Sequence, residues 1–382
     1  MRVVIAPDSF KGSLSSPEVA AALERGWLLG APDSACVRVP LADGGEGTVQ
    51  ALVDATGGRL ETRRVTGPLG AAVDAAFGLL GGSGPLTAVV EVAAASGLTL
   101  VEEGSRDAGR ATSYGTGELI AAALDLGARR LVIGLGGSAC TDGGVGLLQA
   151  LGARFVDAGG ADLGHGGAVL GDLADIDLTG LHPALTECEV VAACDVDNPL
   201  TGPRGAAAVF GPQKGADEAT VALLDDHLGH LAGVVAERFD ADPSVPGSGA
   251  AGGIGFALTG LLGGELRPGI DLVADAVGLD ELLTDADLVL TGEGCLDAQS
   301  LAGKAPVGVL RRARERGLPV IGVAGSLGEG VEEILAAGMT AVVSVVPGVV
   351  SLEEALGSAA VNLESTGRAL ASIWSAAGAA GS

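Results

Sequence analysis

Aromatic residues are nearly missing: six Phe, two Trp and one Tyr make up 2% of a 382-residue chain. Cores must therefore be built from the Ala, Val, Leu and Ile that dominate its 48% hydrophobic content, which suits helices packed on parallel strands. Cysteine is scarce too. Cys36, Cys140, Cys188, Cys194 and Cys295 are odd in number and contain no CxxC pair, which argues against a disulfide framework or a structural zinc site and fits a reducing compartment. Gly or a charge interrupts each apolar run before membrane-spanning length, and the four apolar residues between Arg2 and Pro7 are too few for a signal peptide. The expectation is a cytoplasmic protein without a membrane partner.

Positive charge is the next shortage. Against 48 acidic residues stand 22 basic ones, giving a net charge of −26 and a pI near 4.3, a field that repels nucleic acid and anionic membranes. The same field opposes anionic small molecules, so a phosphate or carboxylate substrate would need local cations or a bound metal, most commonly Mg2+. Only three of the basic residues are lysines: Lys11, Lys214 and Lys304. A chain so biased towards Arg keeps Lys where a compact ammonium on a flexible stem cannot be replaced by a planar guanidinium. All three sit in Gly-rich loops, which favours phosphate or carboxylate contacts over chance placement.

What the chain has in excess is glycine, 65 residues in short clusters after apolar runs and with no G-X-Y period, which marks tight loops rather than collagen or disorder. Its length favours two domains or three. Val3 to Ala6 reads as a buried strand. Ser16 as N-cap, Pro17 at the first helical position and Glu18 in the first turn then open a helix to about Leu29. Similar strands are expected at Val89 to Val92, Leu131 to Leu135, Val190 to Ala193, Leu288 to Leu290, Val320 to Val323 and Ala341 to Val346, so the sheets should be parallel. Texture turns to short alternating segments between about Val65 and Phe77 and again from Asp157 to Glu189. The expected organisation is α/β. Residues 1–65 and 285–382 form a doubly wound, Rossmann-like parallel-sheet domain, and residues 66–284 form a more irregular α/β domain inserted in it.

An internal repeat stands out. The ten residues from Asp43, Gly44 and Gly45 to Leu52 match those from Asp142, Gly143 and Gly144 to Leu151 at seven positions, and Gly252 to Phe256 is a third copy without the aspartate. Each reads as a glycine turn feeding a helix whose free N–H groups and dipole can hold an anion. The competing reading is that Asp caps the helix and the glycines allow close packing.

Carboxylates gather after the same apolar runs: Asp8 after the first, Asp195 after the fourth, Glu293 and Asp297 after the fifth. Loops at the carboxyl ends of strands line the ligand crevice of open α/β sheets. Metal-bound carboxylates, cations on the migrating charge and a base near the acceptor hydroxyl are the parts that phosphoryl transfer needs. For each carboxylate, turn formation or capping is the competing role. Other motifs fail. Ala298 and Ala305 break a Walker A pattern around Lys304. His227 and His230, in a helix-like stretch without partners at zinc spacing, read as a solvated face. Gly134, Gly136 and Ala139 imitate a GxGxxA dinucleotide fingerprint with Asp157 beyond. However, Thr141 to Gly144 delays the helix and sets an acid beside the supposed pyrophosphate, which leaves an NAD-dependent hydroxy-acid oxidoreductase as the reading from a different class.

Taken in order, these segments resemble the type I glycerate kinase family over essentially the whole chain. The resemblance is carried by Ala6-Pro7-Asp8-Ser9-Phe10-Lys11-Gly12-Ser13-Leu14, Ala42-Asp43-Gly44-Gly45-Glu46-Gly47-Thr48, Ser113-Tyr114-Gly115-Thr116-Gly117-Glu118-Leu119 and Gly136-Gly137-Ser138-Ala139 with Thr141-Asp142-Gly143-Gly144. It continues through Cys194-Asp195-Val196, Phe210-Gly211-Pro212-Gln213-Lys214-Gly215, Gly249-Ala250-Ala251-Gly252-Gly253 and Thr291-Gly292-Glu293-Gly294 on to Asp297, Gln299, Ser300, Gly303 and Lys304. The resemblance implies ATP, Mg2+ and D-glycerate as ligands, two α/β domains enclosing the site, and 2-phosphoglycerate as the usual product, with a 3-phosphoglycerate product as the alternative. It leaves the oligomeric state open. Residue chemistry then suggests Lys11 and Lys304 for anion neutralisation, Lys214 as a further phosphate or carboxylate contact, and Asp195 as the base. Asp8, Glu293 and Asp297 are candidate metal or substrate ligands, beside Ser9. Ser138 and the amides around Gly136 and Gly137 are candidate phosphate cradles, with Asp43, Gly44, Gly45, Asp142 and Gly143 in the glycine turns.

Overall fold

The computed structural model describes all residues except 43–46, 83, 240 and 381–382. The chain opens with β1 (Arg2–Pro7) and β2 (Ala35–Arg38). Its middle carries β3 (Arg59–Thr66), β4 (Ala72–Leu79), β5 (Thr87–Glu91), β6 (Arg130–Gly134), β7 (Arg154–Val156), β8 (Asp175–Asp177), β9 (Glu189–Ala193) and β10 (Glu265–Arg267). It closes with β11 (Leu288–Leu296), β12 (Val320–Leu327) and β13 (Ala341–Ser344). Two compact units result: Met1–Asp43 with Ile270–Ser382, and Gly44–Gly269 between them. These divisions fall at 43/44 and 269/270, where the change of sequence texture suggested 65/66 and 284/285. The difference has a physical source: β3 pairs along its length with β4, and the helix Gly269–Ala276 is tied by Asp271 and Asp275 to Arg312.

In the terminal unit the sheet is parallel throughout, in the order β13-β12-β11-β1-β2. Val3 to Ala6 and Leu288 to Leu290 are fully buried, as strands covered on both faces must be. The helix Ser16–Gly30 is capped one residue earlier than the sequence suggested. Ser15 is the N-cap, and Glu18, three positions on, accepts from the Ser15 amide at 2.8 Å and its hydroxyl at 2.7 Å. This helix lies against Ala359–Ala380 almost backbone to backbone. A methyl group at Gly26 would sit 2.0 Å from the Glu364 carbonyl oxygen. Trp27, fully buried, and Phe10 sit in this core with Val, Leu, Ile and Ala, and the partly buried Trp374 packs against it.

The inserted unit holds a six-stranded sheet in the order β10-β9-β6-β5-β4-β3, parallel from β5 to β10 and antiparallel from β3 to β5, plus the small antiparallel pair β7-β8. The alternating stretch near Val65 to Phe77 is the β3-β4 hairpin, turned at Gly67 to Gly70. The helix Glu218–Ala236 carries His227, half-buried, and His230, exposed as a solvated face requires, and their rings also reach the carbonyls of Gly167 and Leu173 at 3.1 and 2.7 Å. No helix among the described residues is long and apolar enough to cross a membrane.

Candidate active site

In the terminal unit, β1 leads to β2 on one side and β11 leads to β12 on the other. Strand order therefore reverses between β1 and β11, the place where open α/β sheets bind ligands beyond their carboxyl ends. The loop after β1 carries Asp8, Ser9 and Lys11. It is fixed by the Asp8 amide on Gly292 O at 2.8 Å, by Ser9 N on Asp8 Oδ1 at 2.5 Å and by a tight turn from Phe10 to Leu14. Lys11 is exposed. The far end of β11 runs beside it, since a Cβ at Gly294 would come 3.4 Å from Lys11 N.

Glu293 lies on that end of β11 and is 9% exposed. Burial pushes its pKa up, opposed by a hydrogen bond from Ser300 and by the charge of Lys304. Lys304 Nζ stands 3.2 Å from Glu293 Oε2, and Ser300 Oγ donates to Oε1. Ser300 is fully buried and also accepts from the Asp297 amide at 3.2 Å, while its own amide donates to Asp297 Oδ1 at 3.3 Å. Lys304 is the N-cap residue of the helix Ala305–Arg314. The structure thus brings Asp8, Ser9, Lys11, Glu293, Asp297 and Lys304 to the ends of two neighbouring strands. Ser300 was missed as a site residue in its own right, although it lies within the segment quoted for the resemblance.

In the inserted unit the carboxyl ends of β5, β6, β9 and β10 lie side by side. Gly136 and Gly137 follow β6 and are exposed, and their amides have no hydrogen-bond acceptor among the described residues. Asp195 follows β9, is exposed, and accepts from Gly269 N at 3.0 Å just beyond β10. Ser138 is buried at 5% exposure and accepts from Lys214 Nζ at 2.9 Å. Lys214 is itself buried at 2% exposure. The expectation was a phosphate or carboxylate contact; in the structure the Lys214 ammonium instead donates to Ser138 Oγ and Cys140 O inside the protein.

The glycine turns also differ from the anion-cradle expectation. Asp142 is fully buried and accepts from Ser113 N at 2.7 Å, Ser113 Oγ at 2.8 Å and Gly144 N at 3.1 Å, so its carboxylate joins two helix starts. Gly143 N donates to Gly252 O at 2.9 Å, and a Cβ at Gly143, whose φ is +64°, would strike Leu231 at 2.3 Å. The second and third repeat copies therefore pack on each other, and their close approach is what needs glycine. Around the first copy, Asp43, Gly44 and Gly45 lie outside the described residues. The amide of Val49, at the start of the helix Thr48–Thr56, is taken by Glu91 Oε1 at 2.9 Å. Glu91 ends β5, and the sequence reading did not single it out within the run Val89 to Val92.

The dinucleotide imitation fails on geometry. After β6 ends at Gly134 the chain stays non-helical until Val145, and Asp157 accepts from the amides of Gly159 and Ala161 in a turn.

The glycerate kinase family model matches residues 3–375. Glycerate kinase of Bacillus subtilis is 50% identical over 372 residues, covering 97% of each chain, and glycerate 2-kinase of Escherichia coli is 50% identical over 364 residues, covering 95% of each. A solved structure assigned as glycerate kinase 2 of Salmonella typhimurium LT2 superposes with a TM-score of 0.89 at 49% identity and covers 99% of both chains. With a matching family model along nearly its whole length and relatives at half identity, the chain belongs to the glycerate kinase family and is a kinase.

Proposed function

We propose that the protein transfers the terminal phosphoryl group of ATP, with Mg2+, to the 2-hydroxyl of D-glycerate in the cytoplasm. The observation that best supports a doubly anionic pair of substrates is the placement of Lys11 and Lys304, in a chain of net charge −26, at the strand-order reversal of the terminal sheet. The choice of the 2-hydroxyl follows the E. coli relative's name.

Phosphoryl transfer asks the protein mainly for positioning and charge stabilisation. In the terminal unit, Lys304 is held by Glu293 at 3.2 Å and Lys11 stands exposed on a pinned loop, so both ammonium groups offset substrate charge. In the inserted unit, the amides of Gly136 and Gly137 receive phosphate oxygens. Asp195, steadied through one oxygen by Gly269 N, takes the proton from the acceptor hydroxyl. Mg2+ prefers oxygen donors and enters on substrate phosphates with one or two carboxylates. Asp8, just after β1, and Asp297, just after β11, are the residues that would hold it. Bound there, Mg2+ would neutralise charge on the migrating group.

ADP release, followed with a coupled assay, should require both D-glycerate and Mg2+. Hydride transfer from glycerate to NAD(P), or no turnover with glycerate at all, would contradict the proposal.

A further inference from the structure

Of the three lysines, Lys214 is the one sealed from water. Burying an ammonium is costly unless its donors find acceptors. Lys214 Nζ donates to Ser138 Oγ at 2.9 Å and to Cys140 O at 2.6 Å. Burial lowers its pKa, while the nearby Cys140 and Asp142 act in the other direction. Its own backbone is held in the 3-10 turn Pro212–Lys214, and Arg106 Nη1 fastens the preceding carbonyl, Gln213 O, at 3.1 Å. Both acceptors of the ammonium belong to one loop, which leaves β6 through exposed Gly136 and Gly137 and enters the core from Ser138 to Asp142.

We infer that Lys214 is a positioning residue, whose ammonium locks Ser138 and Cys140 so that the Gly136 and Gly137 amides are held ready for a phosphate oxygen of the nucleotide. Lys214 does not touch the substrate. A methionine would fill nearly the same space with no donor, so Lys214→Met removes these two hydrogen bonds while keeping most of the packing. This inference rests on the kinase reading above, which supplies the phosphate.

The test uses Lys214→Met and Ser138→Ala, alone and together, with hydrogen exchange, thermal unfolding and steady-state kinetics on each full-length protein. Exchange in residues 135–142 should rise by about tenfold in Lys214→Met, and KM for ATP should rise about tenfold with a smaller change in kcat. Because both substitutions cut the Lys214–Ser138 link and Lys214→Met also cuts the Cys140 contact, the double variant should be no worse than Lys214→Met alone. If Lys214→Met does not fold, Ser138→Ala alone must show the faster exchange and the raised KM. Multiplying losses in the double variant would place Lys214 on the substrate and overturn the inference, as would wild-type exchange in the loop. Exchange needs no turnover, so the two readings separate. An active wild type with an unchanged loop in the variants refutes only the role of Lys214. A wild type inactive with glycerate refutes the kinase reading and the phosphate role with it.

Discussion

Replacing Asp142 by Asn decides whether this carboxylate is structural or faces substrate. Three donors, Ser113 N, Ser113 Oγ and Gly144 N, lie within 3.1 Å of its oxygens, and the group is fully buried. Hydrogen bonds to a charged acceptor are each worth about 1 kcal/mol more than neutral ones, so losing the charge costs roughly 3 kcal/mol. Whichever way the Asn amide is turned, its NH2 meets one of these donors, and an unsatisfied buried N–H adds about 1–2 kcal/mol. The total, about 4–5 kcal/mol, corresponds to a fall in Tm of roughly 8–20 °C for a unit of this size. Calorimetry on the full-length variant should show that fall, while kcat/KM of the folded enzyme at low temperature stays within about threefold of wild type. A Tm within about 2 °C of wild type together with a collapse of kcat/KM would refute the reasoning and return Asp142 to the substrate.

Further outcomes follow from the same geometry. Gly143→Ala should destabilise the protein by roughly 1–3 kcal/mol with little kinetic change, since its Cβ would meet Leu231 at 2.3 Å, and thermal melts with kinetics on the folded fraction check it. Lys11→Arg should leave Tm unchanged and lower kcat/KM by at least about tenfold, because Lys11 is exposed and a guanidinium cannot repeat the compact contact; unaltered kinetics would refute this. Arg312→Met should cost roughly 3–5 kcal/mol, because this guanidinium at 8% exposure is shared by Asp271, Asp275 and Asp280, and urea unfolding measures it. The thiol of Cys36, pushed up to about 11 by burial and by Glu24, should alkylate slowly at pH 8, and fast labelling would contradict its packing.

Much of the fold was legible because buried parallel strands are written as uninterrupted apolar runs. Val3 to Ala6, Val190 to Ala193 and Leu288 to Leu290 all lie within observed strands. The length of β11 was not legible, since Thr291, Gly292, Glu293 and Gly294 interrupt the apolar run, yet the strand runs on to Leu296 and pairs with β12 as far as Leu327. The terminal cluster was visible as charged residues after apolar runs. What hid from the sequence was commitment. Lys214, Asp142 and Gly143 have the composition of ligand contacts, yet their partners, Ser138 and Cys140, Ser113, and Gly252, are supplied by tertiary packing that no local pattern records. The same holds for Glu91 and Ser300, whose significance lies in Val49 N and Glu293.

Which molecule is phosphorylated, and on which hydroxyl, is the central question for this enzyme. Proton-coupled phosphorus NMR of the wild-type enzyme with D-glycerate, ATP and Mg2+ answers both in one spectrum. A phosphate ester on the 2-hydroxyl is split by the single proton on its carbon and should appear as a doublet that grows as ADP forms. A triplet, from the two protons beside a 3-phosphate, would contradict the proposed position, and the absence of any new glycerate-dependent ester signal would contradict the function itself.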